Sequence, residues 1–182
     1  MSGRCMAFVI ALMLACLILC SCRQQASNNP TTREDRVLDL LAKVESGSKL
    51  TNEEFEELVR MTQEPNVLVS SKAYNTLWFV KEPEQKRRAA EVMRHALSHP
   101  DASIRGSACK GLGFVGTRED VELLLPKLHD PDPFVRHMAL QAVGALGDSQ
   151  YARQVRPLLN DPDAKVRRLA QETLQKWGVK VP

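Results

Sequence analysis

The chain is poor in cysteine, in aromatic residues and in net charge. Its 182 residues include five cysteines, 5% aromatics, and 25 basic residues against 22 acidic ones. Four of the cysteines (Cys5, Cys16, Cys20 and Cys22) lie in or just after an apolar leader, so Cys109 stands alone in the remainder. That excludes a disulfide framework. A formal charge of +3 excludes a dedicated nucleic-acid binder, which needs a strong basic patch. No segment alternates apolar and polar residues convincingly over five positions, so no sheet is expected. A Gly-rich phosphate loop is also missing, as is an acid pair set apart from the repeat pattern described below. No cofactor is expected.

What is present begins with the leader. Cys5 to Cys20 is a run of 16 residues without charge or a strong polar group, preceded by Arg4. A spanning helix needs roughly 20 apolar residues, so the run reads as the core of an export signal. An uncleaved, tilted anchor is the alternative. Leu19-Cys20-Ser21-Cys22 resembles the lipobox of bacterial lipoproteins. That resemblance implies a signal peptide over residues 1–21, cleavage after Ser21, and fatty acylation of Cys22, palmitate included. It also implies a lipid-anchored protein of the cell envelope. Arg23, where retained lipoproteins commonly carry Asp, implies the outer membrane facing the periplasm in a Gram-negative cell. In a Gram-positive cell the same signal implies the outer face of the single membrane. Residues 22–31 hold no large apolar side chain after the cysteine and read as a lipidated tether.

The rest repeats itself. Pro100-Asp101, Pro131-Asp132 and Pro162-Asp163 recur at a step of 31 residues. The same step carries Ile104, Val135 and Val166; Arg105, Arg136 and Arg167; Ala108, Ala139 and Ala170; Leu112, Val143 and Leu174; and Gly116, Gly147 and Gly178. A fixed period of this length means stacked supersecondary units. Within one unit Ile104, Ala108, Leu112 and Val115 form a helical stripe, which Gly116 is expected to terminate. Thr117 and Asp120 open a second helix bearing Val121, Leu124, Leu125 and Leu128, with Pro126 expected to kink or delay it. Pro157 holds the matching place one unit on.

Upstream, Pro65, Val69, Ala73, Leu77 and Val80 match the first-helix columns at an offset of 35. Before them come a helical segment from Thr32 to Glu45 and a capping box at Thr51–Glu54. The expectation is an all-α chain over residues 32–182: an α-solenoid of stacked antiparallel hairpins with about nine helices, the last unpaired. Its clearest repeats are 65–99, 100–130, 131–161 and 162–182.

Pro-Asp at the turn, Val-Arg-x-x-Ala in the first helix and Ala-Leu-Gly at its end resemble the HEAT repeat, in the short form first noted in phycobilin lyases. The likeness covers residues 65–182 well and 32–64 loosely. It implies a macromolecule-binding solenoid whose second helices line the concave side. The candidate partner-binding residues are then Arg87, Arg94, Glu122, Arg153 and Arg156, with Trp78 as an aromatic anchor or, alternatively, a packing residue. Asp101, Asp132 and Asp163 with Arg105, Arg136 and Arg167 read as a structural ladder, each Asp bonding turn amides or a neighbouring Arg; a binding ridge is the alternative. His95 and His99 share a helical face but lack a clear third ligand, so no metal is expected. Cys109 has no base placed near it in sequence, so no catalytic residue is expected.

The functional expectation is a non-enzymatic scaffold or adaptor for a protein partner. The alternatives are a bilin-lyase-like enzyme or chaperone, and a structural subunit of an envelope complex. The leader supplies the first test. The Cys22→Ala variant should lose incorporation of radiolabelled fatty acid and move to the soluble fraction; continued labelling would reject the lipobox.

Overall fold

The computed structural model describes residues 32–181. The expected signal peptide, Cys22 and the whole of the expected tether lie outside the described residues. The chain divides into two units, Met1–Arg36 and Val37–Pro182. In the first, the described residues form a helix start. The Asp35 carboxylate accepts from the Thr32 amide and hydroxyl, and Thr32 Oγ1 accepts from the Asp35 amide.

Nine α-helices are present among the described residues: α1 (Arg33–Glu45), α2 (Asn52–Met61), α3 (Val67–Leu77), α4 (Pro83–Ala96), α5 (Ala102–Val115), α6 (Val121–Leu124), α7 (Pro133–Leu146), α8 (Ala152–Val155) and α9 (Ala164–Lys176). The fold is an all-α helical repeat, as the 31-residue step predicts. The capping box at Thr51 and Glu54 opens α2. Asp101, Asp132 and Asp163 cap α5, α7 and α9, each accepting from one or two amides of the following turn. A carboxylate there also meets the positive end of the helix dipole.

The apolar columns converge on one continuous core. Leu112, Val143 and Leu174 are fully buried, as are Ala108, Ala139 and Ala170. Upstream the core continues through Leu77, Met93, Leu58 and Leu40.

The second helices of the 100–130 and 131–161 repeats differ from an unbroken reading, unlike α4. Each of the two is a short α-helix between two tighter turns. Arg118–Asp120 and Leu125–His129 are 3₁₀ around α6, and Ser149–Tyr151 and Arg156–Asn160 are 3₁₀ around α8. Pro126 and Pro157 sit at the start of the trailing 3₁₀ turns. There the missing N–H removes one i→i−4 bond, and the chain tightens instead of continuing.

Gly116 ends α5 as expected, but not in the left-handed conformation common at helix ends. Gly116 is extended, at φ −80° and ψ −176°, and its amide donates to Leu112 O at 2.8 Å. A Cβ there would lie 2.5 Å from Leu112 O and 2.8 Å from Asp120 Oδ2. The requirement is close approach, not a special φ. Gly178, at φ +71°, is the residue that leaves α9 in the left-handed form.

Glycine also lets successive first helices touch. A Cβ on Gly113 would meet Ala142 of α7 at 3.3 Å, and one on Gly144 would meet Thr173 of α9 at 3.2 Å. The same contact thus recurs one repeat later. On the outer side of α9 the columns change character. Gln171 is exposed where Cys109 and Leu140 are buried, and Gln175 stands where Gly113 and Gly144 make their contacts. A polar outer face is what a capping unit of a solenoid needs. Trp177, Val179 and Val181 pack partly buried against the core.

The close approach at Gly116 can be checked directly. Gly116→Ala should cost about 1–3 kcal/mol, read as a lower urea midpoint with unchanged slope; an unchanged midpoint would show that the Leu112–Asp120 corner yields.

Candidate functional site

The repeated charges form an internal ladder, and its rungs are specific. Arg105 donates from Nε and Nη2 to both carboxylate oxygens of Asp130, each at 2.9 Å. Its Nη1 donates to the carbonyls of His99 and Pro100 at 2.9 and 2.8 Å. Arg136 repeats this, gripping Asp161 through two bonds of 2.8 Å and reaching the carbonyls of Asp130 and Pro131. Arg167 keeps the carbonyl half, to Asp161 O and Pro162 O. One guanidinium therefore ties its own turn to the turn that opens the next repeat.

The acids in these pairs are not the Pro-Asp aspartates. Asp101, Asp132 and Asp163 are spent on helix caps, whereas Asp130 and Asp161, just before the prolines, take the arginines. Each also accepts from an amide two residues on, Asp132 N for Asp130 and Asp163 N for Asp161. His99 holds the same column in the preceding unit, and its Nδ1 accepts from Asp101 N. The signal was available in the sequence, since 99, 130 and 161 share the 31-residue step. It was masked because His replaces Asp in the first copy.

Burial sets the electrostatics of the rungs. The Asp161 side chain is 4% exposed. Hydrogen bonds from Arg136 hold its carboxyl below the usual range, against the upward push of desolvation. Burial alone would push the Asp130 and Asp120 carboxyls up, but the arginine bonds and turn amides outweigh it and both end lowered.

Asp120 belongs to a second link. Arg94 of α4 donates to it from Nε at 2.6 Å and from Nη2 at 3.2 Å, and the Asp120 side chain is 2% exposed. Asp120 also accepts from Thr117 N at 2.8 Å. Arg94, expected on the partner-facing surface, is thus committed to holding the turn before α6.

The other candidate residues are scattered in role. Arg87 is exposed but bridges Glu84 and Glu91. Glu122 and Arg153 are exposed, and Arg156 is exposed with Nη2 donating to Lys180 O. Trp78 is half-buried at the end of α3. Its ring stacks on Phe114 at 6.0 Å between centroids and 13° between planes, and Lys110 Nζ lies 4.5 Å from its centroid. Tyr74, one turn earlier, is buried. Cys109 is buried, and desolvation pushes its thiol up to about 12, far from nucleophilic readiness. Among the described residues no three His, Cys, Asp or Glu side chains come together as a metal cage. No helix among them is long and apolar enough to cross a membrane.

A family model of HEAT repeats matches residues 90–175. No curated protein matches the chain. Among solved structures, the chain is similar to the complex of CpcE and CpcF of phycocyanin lyase from Nostoc sp. PCC7120, with TM-score 0.64 and 16% identity over 82% of this chain and 66% of that one. It is also similar to two engineered proteins, with TM-scores of 0.53 and 0.56 and identities of 20% and 16%. These matches cover 69% and 85% of this chain, and 63% and 46% of the engineered ones. The chain thus spans less than two thirds of the length of each. The likenesses carry the fold, a HEAT-type helical repeat.

The ladder makes a prediction with a defined pH dependence. Arg136→Gln leaves Asp161 buried without its cation and should cost about 3 kcal/mol. In the native chain the lowered Asp161 carboxyl stabilises the fold above its unfolded pKa of about 3.9, and that contribution is lost as pH falls through the folded value. Stability measured by urea unfolding should therefore rise less steeply with pH in this acid window for Arg136→Gln than for the parent; equal slopes would remove Asp161 from the account.

Proposed function

We propose that the chain is a non-enzymatic scaffold that presents a rigid helical-repeat surface to a protein partner in the bacterial envelope, anchored by lipid on Cys22. The observation that carries this reading is where the chemistry of the repeats goes. The repeated acids and arginines are consumed in caps and inter-repeat links, and the lone thiol is buried. What the repeats leave available is an extended exterior. Repeat proteins of this architecture bind through such surfaces. The lipobox supports the anchor, and the HEAT-type likeness supports protein binding.

A second reading is favoured by one specific observation, the similarity to a complex of CpcE and CpcF of phycocyanin lyase. On that reading the chain handles a bilin or assists another protein that does. At 16% identity the likeness extends to the fold alone. A structural subunit of an envelope assembly is a third form of the same protein-binding role.

Two measurements separate these readings. Protein purified from its native host should be colourless, without stoichiometric metal by elemental analysis; visible absorption that follows the protein through size exclusion would favour the lyase-like reading. Crosslinking in intact cells should give a defined adduct with another protein, lost when the repeats are disordered by Arg105→Gln with Arg136→Gln; a chain that forms none would contradict the scaffold.

A further inference from the structure

Most of the exposed large apolar side chains gather on the layer of first helices, α3, α5, α7 and α9, with Leu38 on α1 and Leu123 on α6 outside it. Phe79, Phe114 and Phe134 are all more than two-fifths exposed and lie in or directly after this layer, as do Val67 and Leu68. The helices themselves hold eight Lys or Arg (one in α3, two in α5, one in α7, four in α9) against one acid, Glu172. Arg105 and Arg136 are spent in the ladder and Arg168 bridges Glu172, which leaves five, of which Arg167 and Lys176 donate to backbone carbonyls. On α4, by contrast, Arg87 and Arg88 are compensated by Glu84 and Glu91, and Arg94 by Asp120.

Within this layer one arrangement stands on α5. Gly106, Lys110 and Phe114 lie at i, i+4 and i+8, a single stripe. The Phe134 ring covers Gly106, so closely that a Cβ there would lie 2.2 Å from its Cε1. Phe134 remains 45% exposed. Beside it opens a cleft of about 350 Å³ lined by Pro133, Phe134, His137, Met138, Asp163 and Lys165. Asp163 is already engaged by the amides of Lys165 and Val166. At the other end Phe114, 58% exposed, stacks on Trp78. Between the rings Lys110 lies over Trp78 with no carboxylate partner among the described residues. The stripe is apolar, cationic, apolar over about 12 Å at 1.5 Å per residue.

The repeat does not require these side chains. The Phe114 position is Ala145 and Lys176 in later units, Lys110 is Gln141 and Glu172, and Trp78 is Gly113, Gly144 and Gln175. Large rings at positions the fold leaves small or polar are the composition of a binding anchor.

We propose that the α5 stripe, from Phe134 through Lys110 to Phe114 and Trp78, docks an acidic amphipathic helix of the partner protein, with one apolar side chain at each end and a carboxylate between them on Lys110. An i, i+4, i+8 spacing on the partner helix matches the 12 Å stripe. Lys110, on the stripe itself and without a carboxylate partner among the described residues, selects an acidic partner. This inference rests on the scaffold reading and names the face and the partner chemistry.

The test is selection of a random peptide library on the full chain in detergent micelles, followed by fluorescence anisotropy with the enriched peptide. Enriched peptides should carry an acid flanked at one-turn spacings by large apolar residues. Binding should weaken about tenfold or more in Phe114→Ser and in Lys110→Glu, with melting temperatures kept close to the parent. Lys110→Glu should regain affinity for the same peptide with its acid changed to lysine. The paired variant Arg87→Glu with Arg153→Glu should bind normally. The proposal is overturned if the enriched peptides are not acidic and apolar, or if Phe114→Ser and Lys110→Glu bind as the parent does. If the Arg87/Arg153 variant alone loses binding, the scaffold reading stands and the docking face is the second-helix side. Phosphatidylglycerol vesicles give the remaining arm. Sedimentation with them beyond phosphatidylcholine vesicles, diminished by Phe114→Ser and Lys110→Glu, would assign the stripe to lipid and overturn the peptide proposal.

Discussion

A planar guanidinium fixed on three sides is the interaction on which the repeat geometry depends. Arg105 and Arg136 each use one nitrogen on the carbonyls of their own turn and two on a carboxylate 25 residues further on. The first set fixes the side chain, so the second arrives with little entropy left to lose. Each bond pair joins the start of a first helix to the turn that starts the next one. That sets the step between units, and with it the approach that brings Gly113 onto Ala142 and Gly144 onto Thr173. A lysine could supply the charge but not the fork.

The apolar core works with that constraint. Fully buried Leu112, Leu140 and Leu174 fill the space between successive helix pairs, and hydrophobic burial supplies most of the stabilisation. The ladder contributes register more than energy. A pair of charges removed from water gains little net, while loss of one partner strands the other. The same logic applies at Arg94 and Asp120, which lock the turn ahead of α6 at a place where Pro126 shortens the second helix.

Much of this was legible in the residues. The 31-residue step marked the units, Asp101, Asp132 and Asp163 marked the helix starts, and Pro126 and Pro157 marked where the second helices lose regularity. What stayed hidden depends on contacts that periodicity does not encode. Arg94 and Asp120 belong to different columns and have no counterpart one repeat on, so nothing in the sequence links them. Gly116 reads as a helix terminator and is one, but the reason for a glycine there, Leu112 O and Asp120 pressing on it, is not in the sequence. The exposed surface was the least legible. Family resemblance pointed to the second helices, but Arg87 and Arg94 there are paired with Glu84, Glu91 and Asp120, while the open rings of Phe114 and Phe134 lie on the first helices.

The central claim is that the Arg–Asp rungs couple neighbouring repeats. A double-mutant cycle with Arg105→Gln, Asp130→Asn and the pair together, read by urea unfolding, tests it most directly. A coupling energy above about 1 kcal/mol is predicted for partners in direct bidentate contact. Additive effects within about 0.5 kcal/mol would mean that the rungs decorate a stack held by the apolar core alone, and would contradict the account.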